Sequence, residues 1–427
     1  MLKKGLFLLM ILAMVFCLAA CERELAVELE IVDGDRWSGK IAIFSDSYLS
    51  DYRDYYVAAY FVAQKYETKK MYDQMMSDRE YSDNGWLIST MVGDNIILSE
   101  IDPNDDCSFA KFIDKIAVDQ EVKVLILNPA GMGWYQTLNS NEAIDKLRET
   151  REDIFVIYCG YYNSQNGEKP LGEIAKKADL IIEGNYLKAY YMIPAQAAKM
   201  GAKTFVYYSR PYLLNNNLGY SDEHDIIKSE CEKLDIEFID AFTEMPGGSE
   251  YYSQEDFSKS VAENIDYYGK NTAFFSEHWA RHNELILSCY EKGAIYLPES
   301  AWTLYDCLNA LEINVPDEYE MGVWLGYYGG DYRKYAVEQI NQKIIEAGLS
   351  GRFSYIPMID SILLAMVAAD YAVKWMNGEV PKEDVDVEVL RECLEAYTGP
   401  GVDIETYTEE GITYENYLLL MQPYLIF

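Results

Sequence analysis

Polar side chains follow several apolar runs of the sequence, and these residues could carry its chemistry. Asp46 and Ser47 come after KIAIFS, Asn128 comes after VKVLIL, and Arg210 comes after FVYYS. Carboxylates, amides and hydroxyls suit a hydroxyl-rich or cationic ligand, whereas the guanidinium fork of Arg210 suits a carboxylate, a phosphate or sugar hydroxyls. The alternatives are a helix cap at Asp46 and an ion pair at Arg210. We therefore predict a binding site for a small polar molecule.

Aromatic and acidic residues complete this candidate site. Trp134 lies in the loop NPAGMGWYQ, and Tyr161 follows the run DIFVIYCG. Glu277 and His278 follow TAFFS, and Glu299 follows AIYLP. A tryptophan in a polar loop can stack against a ligand, and inward packing of Trp134 is the alternative.

No catalytic or metal-binding motif accompanies these residues. His278 and His282 lie four residues apart beside Glu277, which resembles half of a zinc site, but no third ligand is visible. Gln136 stands where a dinucleotide-binding GxGxxG motif needs its last glycine. The sequence also contains neither a GxSxG nucleophile motif nor a GxxxxGK[ST] phosphate loop. We therefore predict a protein that is not an enzyme and that holds no metal and no cofactor.

The apolar runs that precede the candidate residues are predicted β-strands, separated by helical patterns. Most are continuous and not alternating, which is typical of parallel strands buried on both faces. Such alternation of strand and helix predicts doubly wound α/β architecture, whose right-handed crossovers bring all strand ends to the edge where ligands bind. The predicted strands are Ile41–Ser45, Trp86–Met91, Val122–Leu127, Ile154–Cys159, Leu180–Glu183, Lys203–Tyr208, Ile236–Ile239, Thr272–Ser276 and Ala294–Leu297.

Beyond residue 300 the sequence is mostly helical in pattern. The stretch DSILLAMVAADYAVKWMNGE (360–379) is apolar nearly all round, which predicts a helix buried between other elements. Asp360 is a candidate N-cap and Gly378 a candidate C-terminal stop for this helix. The last segment, ITYENYLLLMQPYLIF, is apolar enough to predict that the carboxyl terminus docks on the core.

The amino terminus has the pattern of a secretory signal. Lys3 and Lys4 precede an apolar segment, and LAAC ending at Cys21 resembles the lipobox of bacterial lipoproteins. We predict a signal peptide over 1–20, a lipid chain on Cys21 and a charged linker over 21–39. An uncleaved membrane anchor is the alternative, but the apolar segment is shorter than the ~20 residues that cross a bilayer.

Charge and cysteine content narrow the functional classes further. The formal charge of −35 at pH 7 becomes −37 once Lys3 and Lys4 leave with the signal, which disfavours binding to nucleic acid. Six cysteines other than Cys17 and Cys21 remain, and none forms a CxxC pair. We predict that most are buried thiols, and disulfide bonds stay open as the alternative.

The lipobox, the repeated β-α units and the polar strand ends together resemble the type I periplasmic-binding-protein fold of lipoprotein substrate-binding subunits of ABC importers. The segments KIAIFSDS, LILNPAG, LPES and YENYLLLMQPYLIF resemble a family of bacterial lipoproteins described as a domain of unknown function. This resemblance implies two doubly wound, Rossmann-like α/β lobes with parallel sheets, joined by a hinge. It places the N-terminal lobe at 40–186 plus about 301–427 and the C-terminal lobe at 187–300. The lobe to which residues 301–355 belong stays undecided.

The same resemblance implies which positions contact a ligand and what the protein does. Its contact positions follow strands one, three, four, six, eight and nine, which are Asp46, Asn128, Tyr161, Arg210, Glu277 or His278, and Glu299. It implies a lipid-anchored, extracytoplasmic protein that binds a sugar-, nucleoside- or amine-like ligand for an ABC permease. The alternatives are a ligand-sensing lipoprotein that partners a membrane sensor, and a surface-anchored enzyme.

Overall fold

The computed structural model describes most of the chain after residue 36. The described residues are 37–45, 58–78, 90–100, 108–128, 144–159, 176–210, 220–243, 253–298, 303–316, 330–356, 359, 361–381 and 384–427. All of them belong to one compact unit, Ile31–Phe427. The predicted signal peptide, Cys21 and most of the linker lie outside the described residues. In the described part of the chain, no helix has both the length and the apolarity needed to cross a bilayer.

The strands and helices alternate as the sequence predicts. The strands are β1 (Lys40–Ser45), β2 (Met91–Val92), β3 (Ile96–Glu100), β4 (Val122–Asn128), β5 (Phe155–Cys159), β6 (Leu180–Gly184), β7 (Thr204–Ser209), β8 (Glu237–Phe242), β9 (Thr272–Ser276), β10 (Ile295–Tyr296), β11 (Ser354–Tyr355), β12 (Asp403–Glu409), β13 (Ile412–Met421) and β14 (Leu425–Ile426). The α-helices are α1 (Ala58–Tyr66), α2 (Lys69–Ser77), α3 (Ser108–Val118), α4 (144–150), α5 (Tyr186–Lys199), α6 (Tyr220–Lys233), α7 (Gln254–Tyr268), α8 (His282–Lys292), α9 (Thr303–Ala310), α10 (Gly330–Glu346), α11 (Ser361–Met376) and α12 (Val387–Thr398).

Two separate sheets, each built mainly of parallel strands, organise these elements. The larger has the order β12-β13-β6-β5-β4-β1-β3-β2, and the smaller has the order β10-β9-β7-β8. Strands β3, β1, β4, β5 and β6 are parallel to one another, as are all strands of the smaller sheet. In the larger sheet β1 lies between β3 and β4, and in the smaller sheet β7 lies between β8 and β9, so each sheet grows outward in both directions from its first parallel strand, as in doubly wound proteins. The predicted α/β fold class is thus confirmed.

Both faces of each sheet are covered by helices, which explains the continuous apolar runs. Helices α1, α11 and α12 cover one face of the larger sheet, and α3 and α4 cover the other. Helices α5 and α6 cover one face of the smaller sheet, and α7 to α10 cover the other. A strand with no face toward water has no reason to alternate polar and apolar side chains.

The structure assigns part of the stretch 301–355, whose lobe the sequence left open. Leu304, Ala336 and Phe353 belong to the apolar core of the smaller sheet, although the predicted N-terminal lobe was written as 40–186 plus about 301–427. Helix α11 and strand β13 do pack with the larger sheet. The chain therefore returns to the larger sheet only after β11, because α9 and α10 complete the second core.

Three segments connect the two sheets. Asn185 joins β6 to α5, the segment after Tyr355 leads to α11, and Gln422 follows β13 before β14 pairs with β11. The Asn185 backbone N–H donates to the Leu420 carbonyl at 2.7 Å, so two of the segments leave the larger sheet side by side.

Two strand regions were not predicted from the sequence. Residues 86–89 of the predicted second strand, Trp86–Met91, lie outside the described residues and Met91 begins β2, while the strand that pairs with β1 is β3 at Ile96–Glu100. The docked carboxyl-terminal segment is a β-hairpin, β12 and β13, of which β13 extends the larger sheet beside β6. The described cysteines outside the signal are free and buried, as predicted, and these are Cys159, Cys231, Cys289, Cys307 and Cys393.

Candidate functional site

The central strands of the smaller sheet bring three predicted site residues together. Arg210 directly follows β7, and Glu277 and His278 directly follow its neighbour β9, with Tyr208 paired to Ser276 in the register. The chain order of the strands reverses around β7. Ligands of open α/β sheets bind at such a reversal, beyond the carboxyl ends of the strands. We call Arg210, Glu277 and His278 the second-sheet cluster.

Arg210 and Glu277 form a buried ion pair in this cluster. Glu277 Oε1 accepts hydrogen bonds from the Arg210 backbone N–H at 2.7 Å and from Arg210 Nε at 3.3 Å. The side chain of Glu277 is fully buried, and 14% of the Arg210 side chain is exposed. The arginine predicted to bind a ligand is therefore held by a carboxylate at the strand ends, which was the alternative that the sequence left open.

His278 is a neutral imidazole in this environment. Burial is the largest cause that lowers its pKa to about 4, and the positive charges of Arg210 and Arg281 contribute to the same shift. Its backbone N–H donates to the Ser276 hydroxyl at 3.1 Å, which fixes the turn after β9. A neutral ring both donates and accepts hydrogen bonds, so His278 suits a hydroxyl or an amide better than a cation.

His282 has a structural role instead. Its Nε2 lies 3.2 Å from the Ser276 carbonyl, and its Nδ1 lies 3.1 Å from Asp306 Oδ2. Both nitrogens of the ring are thus occupied, and the ring joins β9 to α9. Among the described residues, no group of three or more His, Cys, Asp or Glu side chains has the geometry to hold a metal ion.

Glu223 is a buried carboxyl group that the sequence analysis did not select. It lies on α6, is 3% exposed, and accepts a hydrogen bond from the Tyr207 hydroxyl at 3.1 Å. Burial and the negative charge of Glu277 raise its pKa to about 8, although hydrogen bonds from Tyr207 and Tyr190 oppose the rise. Glu223 is therefore largely protonated at neutral pH beside the ionised Glu277.

We expect the protonation of Glu223 to make stability depend on pH. Its pKa of about 8 exceeds the ordinary value of 4.5, so between these values the folded chain keeps a proton that the unfolded chain loses. Stability should therefore rise as the pH falls from 8 to 5, with a contribution of up to about 4 kcal/mol from this group. Urea denaturation at several pH values measures it.

The variant Glu223→Gln should flatten that pH profile and leave a smaller slope. Burial also raises the pKa of Glu183 to about 8, so this residue contributes part of the remaining slope. The variant Glu183→Gln should therefore reduce the slope further. Glu263 is exposed on α7, so Glu263→Gln is the control and should leave the profile unchanged. A wild-type profile that rises from pH 5 to pH 8 would contradict a buried, protonated Glu223.

Asn128 lies at the equivalent point of the larger sheet. It ends β4, whose neighbour is the first strand β1, and it pairs with Ser45 in the register. The chain order reverses between these strands, so ligands are expected beyond their ends. Asn128 is 1% exposed, and neither Nδ2 nor Oδ1 has a hydrogen-bond partner in the part of the chain that the structure describes.

Glu183 lies near the carboxyl end of β6, which is separated from β4 by β5 in the same sheet. Its Oε2 accepts a hydrogen bond from the Tyr417 hydroxyl, while Oε1 has no partner among the described residues. Sequence alone could have selected Glu183, because it is the acidic residue at the end of a predicted strand. Glu223 carries no such signal, because it lies inside a helix and approaches Glu277 only through the fold.

The structure thus places four of the predicted site residues. Arg210, Glu277 and His278 lie together, and Asn128 lies at the corresponding point of the other sheet. The remaining predicted site residues lie outside the described residues, and their roles stay predictions; they are Asp46, Ser47, Trp134, Tyr161 and Glu299.

Two doubly wound α/β sheets, three connecting segments and polar residues at both strand reversals define a protein with the type I periplasmic-binding-protein-like fold. Within this class, the chain belongs to the family described as protein of unknown function (DUF3798), whose model matches residues 40–354. The family was predicted from short segments of sequence, and the match confirms it.

Individual proteins are also similar to this chain. An uncharacterised protein of Treponema pallidum (strain Nichols) is 23% identical over 208 residues, which cover 48% of this chain and 90% of that protein. The crystal structure of a proposed transcriptional regulator from Clostridium difficile 630 has a TM-score of 0.65 at 18% identity and covers 91% of this chain and 99% of its own. A sugar ABC transporter from Actinomyces odontolyticus ATCC 17982 has a TM-score of 0.41 at 10% identity and covers 80% and 84%.

Proposed function

We propose that the protein is an extracytoplasmic solute-binding protein that captures a small polar ligand between its two lobes. One observation carries the proposal: polar, buried side chains lie at the strand reversal of both sheets, with Asn128 in one and the second-sheet cluster in the other. A reversal is where doubly wound sheets bind ligands, and a two-lobed protein has two of them.

The chemistry of the cluster supports a ligand with several hydrogen-bonding groups. Arg210 offers donors, Glu277 offers acceptors, and the neutral His278 offers either. Because Arg210 and Glu277 already compensate each other, a ligand does not need a charge to match them. Sugar-like and nucleoside-like ligands fit this site well, and an amine-like ligand would use the acidic residues, including the predicted Asp46 and Glu299.

The three connecting segments support a hinge between the lobes. Each passes between the sheets over a short stretch, at Asn185, after Tyr355 and at Gln422. Domain closure uses a few residues at element ends that absorb changes in backbone angles. A ligand that contacts both lobes stabilises the closed form, and at 100 times its Kd it adds ~2.7 kcal/mol to stability.

The cellular setting follows from the sequence and remains part of the proposal. A diacylated Cys21 would hold the protein at the outer face of the membrane, because two acyl chains anchor stably where one does not. There it would deliver its ligand to an ABC permease. A membrane sensor is the alternative partner, and affinity purification of crosslinked membranes would separate the two, since a permease and a sensor differ in mass and sequence.

Native mass spectrometry of the purified chain, residues 22–427, tests the binding function. We expect a small molecule that co-purifies with the folded protein and dissociates on unfolding. Thermal shift with monosaccharides, nucleosides and amines should then raise the melting temperature for the matching class. The absence of both a bound molecule and a thermal shift with every class of compound would contradict solute binding. Conversion of a bound compound into product would favour the surface-enzyme alternative.

A further inference from the structure

The amino-terminal turn of α5 is tied to the carboxyl-terminal hairpin of the other lobe. Lys188, in this turn, contacts two carboxylates of β12, since its Nζ donates to Glu405 Oε1 at 2.5 Å and also to Asp403. Helix α5 packs on the smaller sheet through Ile193 and Ala197, whereas β12 is an edge strand of the larger sheet. This group of charges therefore crosses from one lobe to the other.

The two carboxylates lie on one face of β12, which explains why a single ammonium group contacts both. Asp403 and Glu405 are two residues apart, and successive side chains of a strand point to opposite faces. Ile404, between them, packs against the core that α11 covers, so the two carboxylates point away from this core. Asp403 pairs with Met421, at the edge of the sheet from which the first and third connecting segments leave.

Asn185 adds the first connecting segment to the same group. Its Oδ1 accepts a hydrogen bond from the Lys188 backbone N–H at 3.1 Å and caps α5, while its Nδ2 donates to Glu405 Oε2 at 3.1 Å. Its own backbone N–H donates to the Leu420 carbonyl at 2.7 Å. The start of α5 is therefore bound to the hairpin at the place where the chain passes between the lobes.

The third connecting segment is also held by the larger lobe. Gln422 Nε2 donates to the hydroxyl of Thr398, the last residue of α12. This contact and the Asn185 backbone bond fix the connecting segments to the larger lobe only. Lys188 differs, because it lies on a helix of the smaller lobe and its partners lie on the larger one.

The Lys188 group is charged and partly open to solvent. The Lys188 side chain is 29% exposed, and each of its two carboxylate partners is 50% exposed. Burial lowers the pKa of Lys188, but the hydrogen bonds and charges of Asp403 and Glu405 outweigh burial and raise that pKa, so the ammonium group stays charged. Ion pairs with this exposure contribute little to folding, yet they can shift an equilibrium between two arrangements by about twofold to fivefold.

We propose that Lys188, Asp403 and Glu405 form an interlobe clamp, which favours the present arrangement of the lobes over other positions of the hinge. Rotation about the connecting segments moves the first turn of α5 relative to β12, so the clamp opens when the lobes turn. The inference rests on the hinge of the proposed function and adds what restrains it. It does not depend on the identity of the ligand.

Double electron–electron resonance measures the distance between the lobes and tests the clamp. The chain of residues 22–427, dialysed free of bound solute, carries genetically encoded spin labels in place of Val118 and Tyr267, which are 78% and 81% exposed. Val118 ends α3, Tyr267 lies in the last turn of α7, and each helix precedes the start of a strand. Both labels are thus far from the carboxyl ends of the strands, where rotation about the hinge moves atoms less.

Neutralising Lys188 should release the lobes. The variant Lys188→Met should increase, by about twofold to fivefold, the fraction of molecules outside the main interlobe distance of the wild type. Glu405→Gln should have a smaller effect, because Asp403 still pairs with Lys188. Lys123→Met is the matched control, since Lys123 forms a similarly exposed pair with Asp153 inside the larger lobe, and it should leave the distances unchanged.

A charge exchange separates the clamp from a loss of helix structure. Lys188→Glu should release the lobes further, because it places a third carboxylate beside Asp403 and Glu405, although an acidic residue in the first turn suits the helix dipole. Adding Asp403→Lys restores a cation between carboxylates and should bring back the wild-type distances. Unchanged distances in Lys188→Met, an equal change in Lys123→Met, or no recovery in the double variant would each overturn the inference.

The clamp and the proposed function fail in distinguishable ways. If no class of compound binds but Lys188→Met redistributes the interlobe distances, solute binding is wrong while the clamp stands. If a solute binds and Lys188→Met leaves the distances unchanged, the clamp is wrong while solute binding stands.

Discussion

Replacing Glu277 with leucine is expected to lower the free energy of unfolding by about 3–5 kcal/mol, because it removes a fully buried carboxylate from its ion pair with the largely buried Arg210 guanidinium. The carboxylate also accepts the Arg210 backbone N–H, so that donor would lose its acceptor as well. Chemical denaturation followed by tryptophan fluorescence measures the change. Asp266, whose ion pair with Lys292 is largely exposed, provides the control: Asp266→Ala should cost less than about 1 kcal/mol.

A double substitution distinguishes stability from ligand binding at the same place. The variant Arg210→Met with Glu277→Gln removes both charges and keeps an oxygen for the backbone N–H at position 210. Replacing both members of a buried pair with uncharged groups of similar volume is often neutral, so stability should return to within about 1 kcal/mol of the wild type. The thermal shift caused by the ligand should nevertheless be lost. A double variant that still binds with unchanged affinity would mean that the pair is purely structural.

The second large effect is expected at Asp370, on the otherwise apolar helix α11. Its carboxylate accepts hydrogen bonds from Lys65 Nζ at 2.5 Å and from the Tyr397 hydroxyl at 2.8 Å, and the Tyr66 hydroxyl donates to it as well. The Lys65 and Asp370 side chains are only 18% and 15% exposed. These contacts join α1, α11 and α12. Lys65 and Tyr66 are each about 300 residues away from Asp370 in the sequence.

Asp370→Ala should therefore destabilise the protein by about 3 kcal/mol, because it removes the carboxylate that accepts from a mostly buried ammonium group and from two hydroxyl groups. Asp73 is the matched control, since it pairs with Lys69 on the exposed side of α2. Asp73→Ala should cost less than about 0.5 kcal/mol. Equal effects of the two substitutions in urea denaturation would show that the Asp370 network contributes no more than a surface ion pair.

The two clusters have different consequences for function. Asp370 lies among the helices that cover the larger sheet, away from the strand ends, so its loss should lower stability while a bound ligand still raises the melting temperature. Arg210 and Glu277 lie at the strand ends, so replacing both should leave stability nearly unchanged while a ligand no longer raises the melting temperature. Comparing the two variants with the same ligand therefore separates residues that hold the fold from residues that contact the solute.

The sequence predicted the residues at the strand ends but not their interactions. Arg210 and Glu277 were selected independently, each because it follows an apolar run. Their pairing depends on β7 and β9 lying side by side with Tyr208 opposite Ser276, and no local pattern states that register. Glu223 was missed for the same reason, since only the packing of α6 against the sheet brings it near Glu277 and Tyr207.

The carboxyl-terminal hairpin shows the limit of local patterns on the scale of the fold. The segment ITYENYLLLM mixes polar and apolar residues in its first half, and its burial changes from exposed to buried along β13. It becomes a strand because β6 offers it a parallel edge, with Leu418 opposite Ile182, and β12 covers its other side. Tertiary context of this kind overrides weak strand propensity.

The sequence by itself determined the fold class, most of the strands and the family, because buried parallel strands are continuous apolar runs whatever they pair with. It also determined the predicted site positions, since the residue after a strand always lies at the edge of the sheet. Only the tertiary structure decided which of these side chains compensate each other and which are left with an unmet hydrogen bond. Arg210 and Glu277 neutralise one another, whereas Asn128 has no described partner. Such differences arise from distances between residues far apart in the chain, and those distances depend on register and crossover.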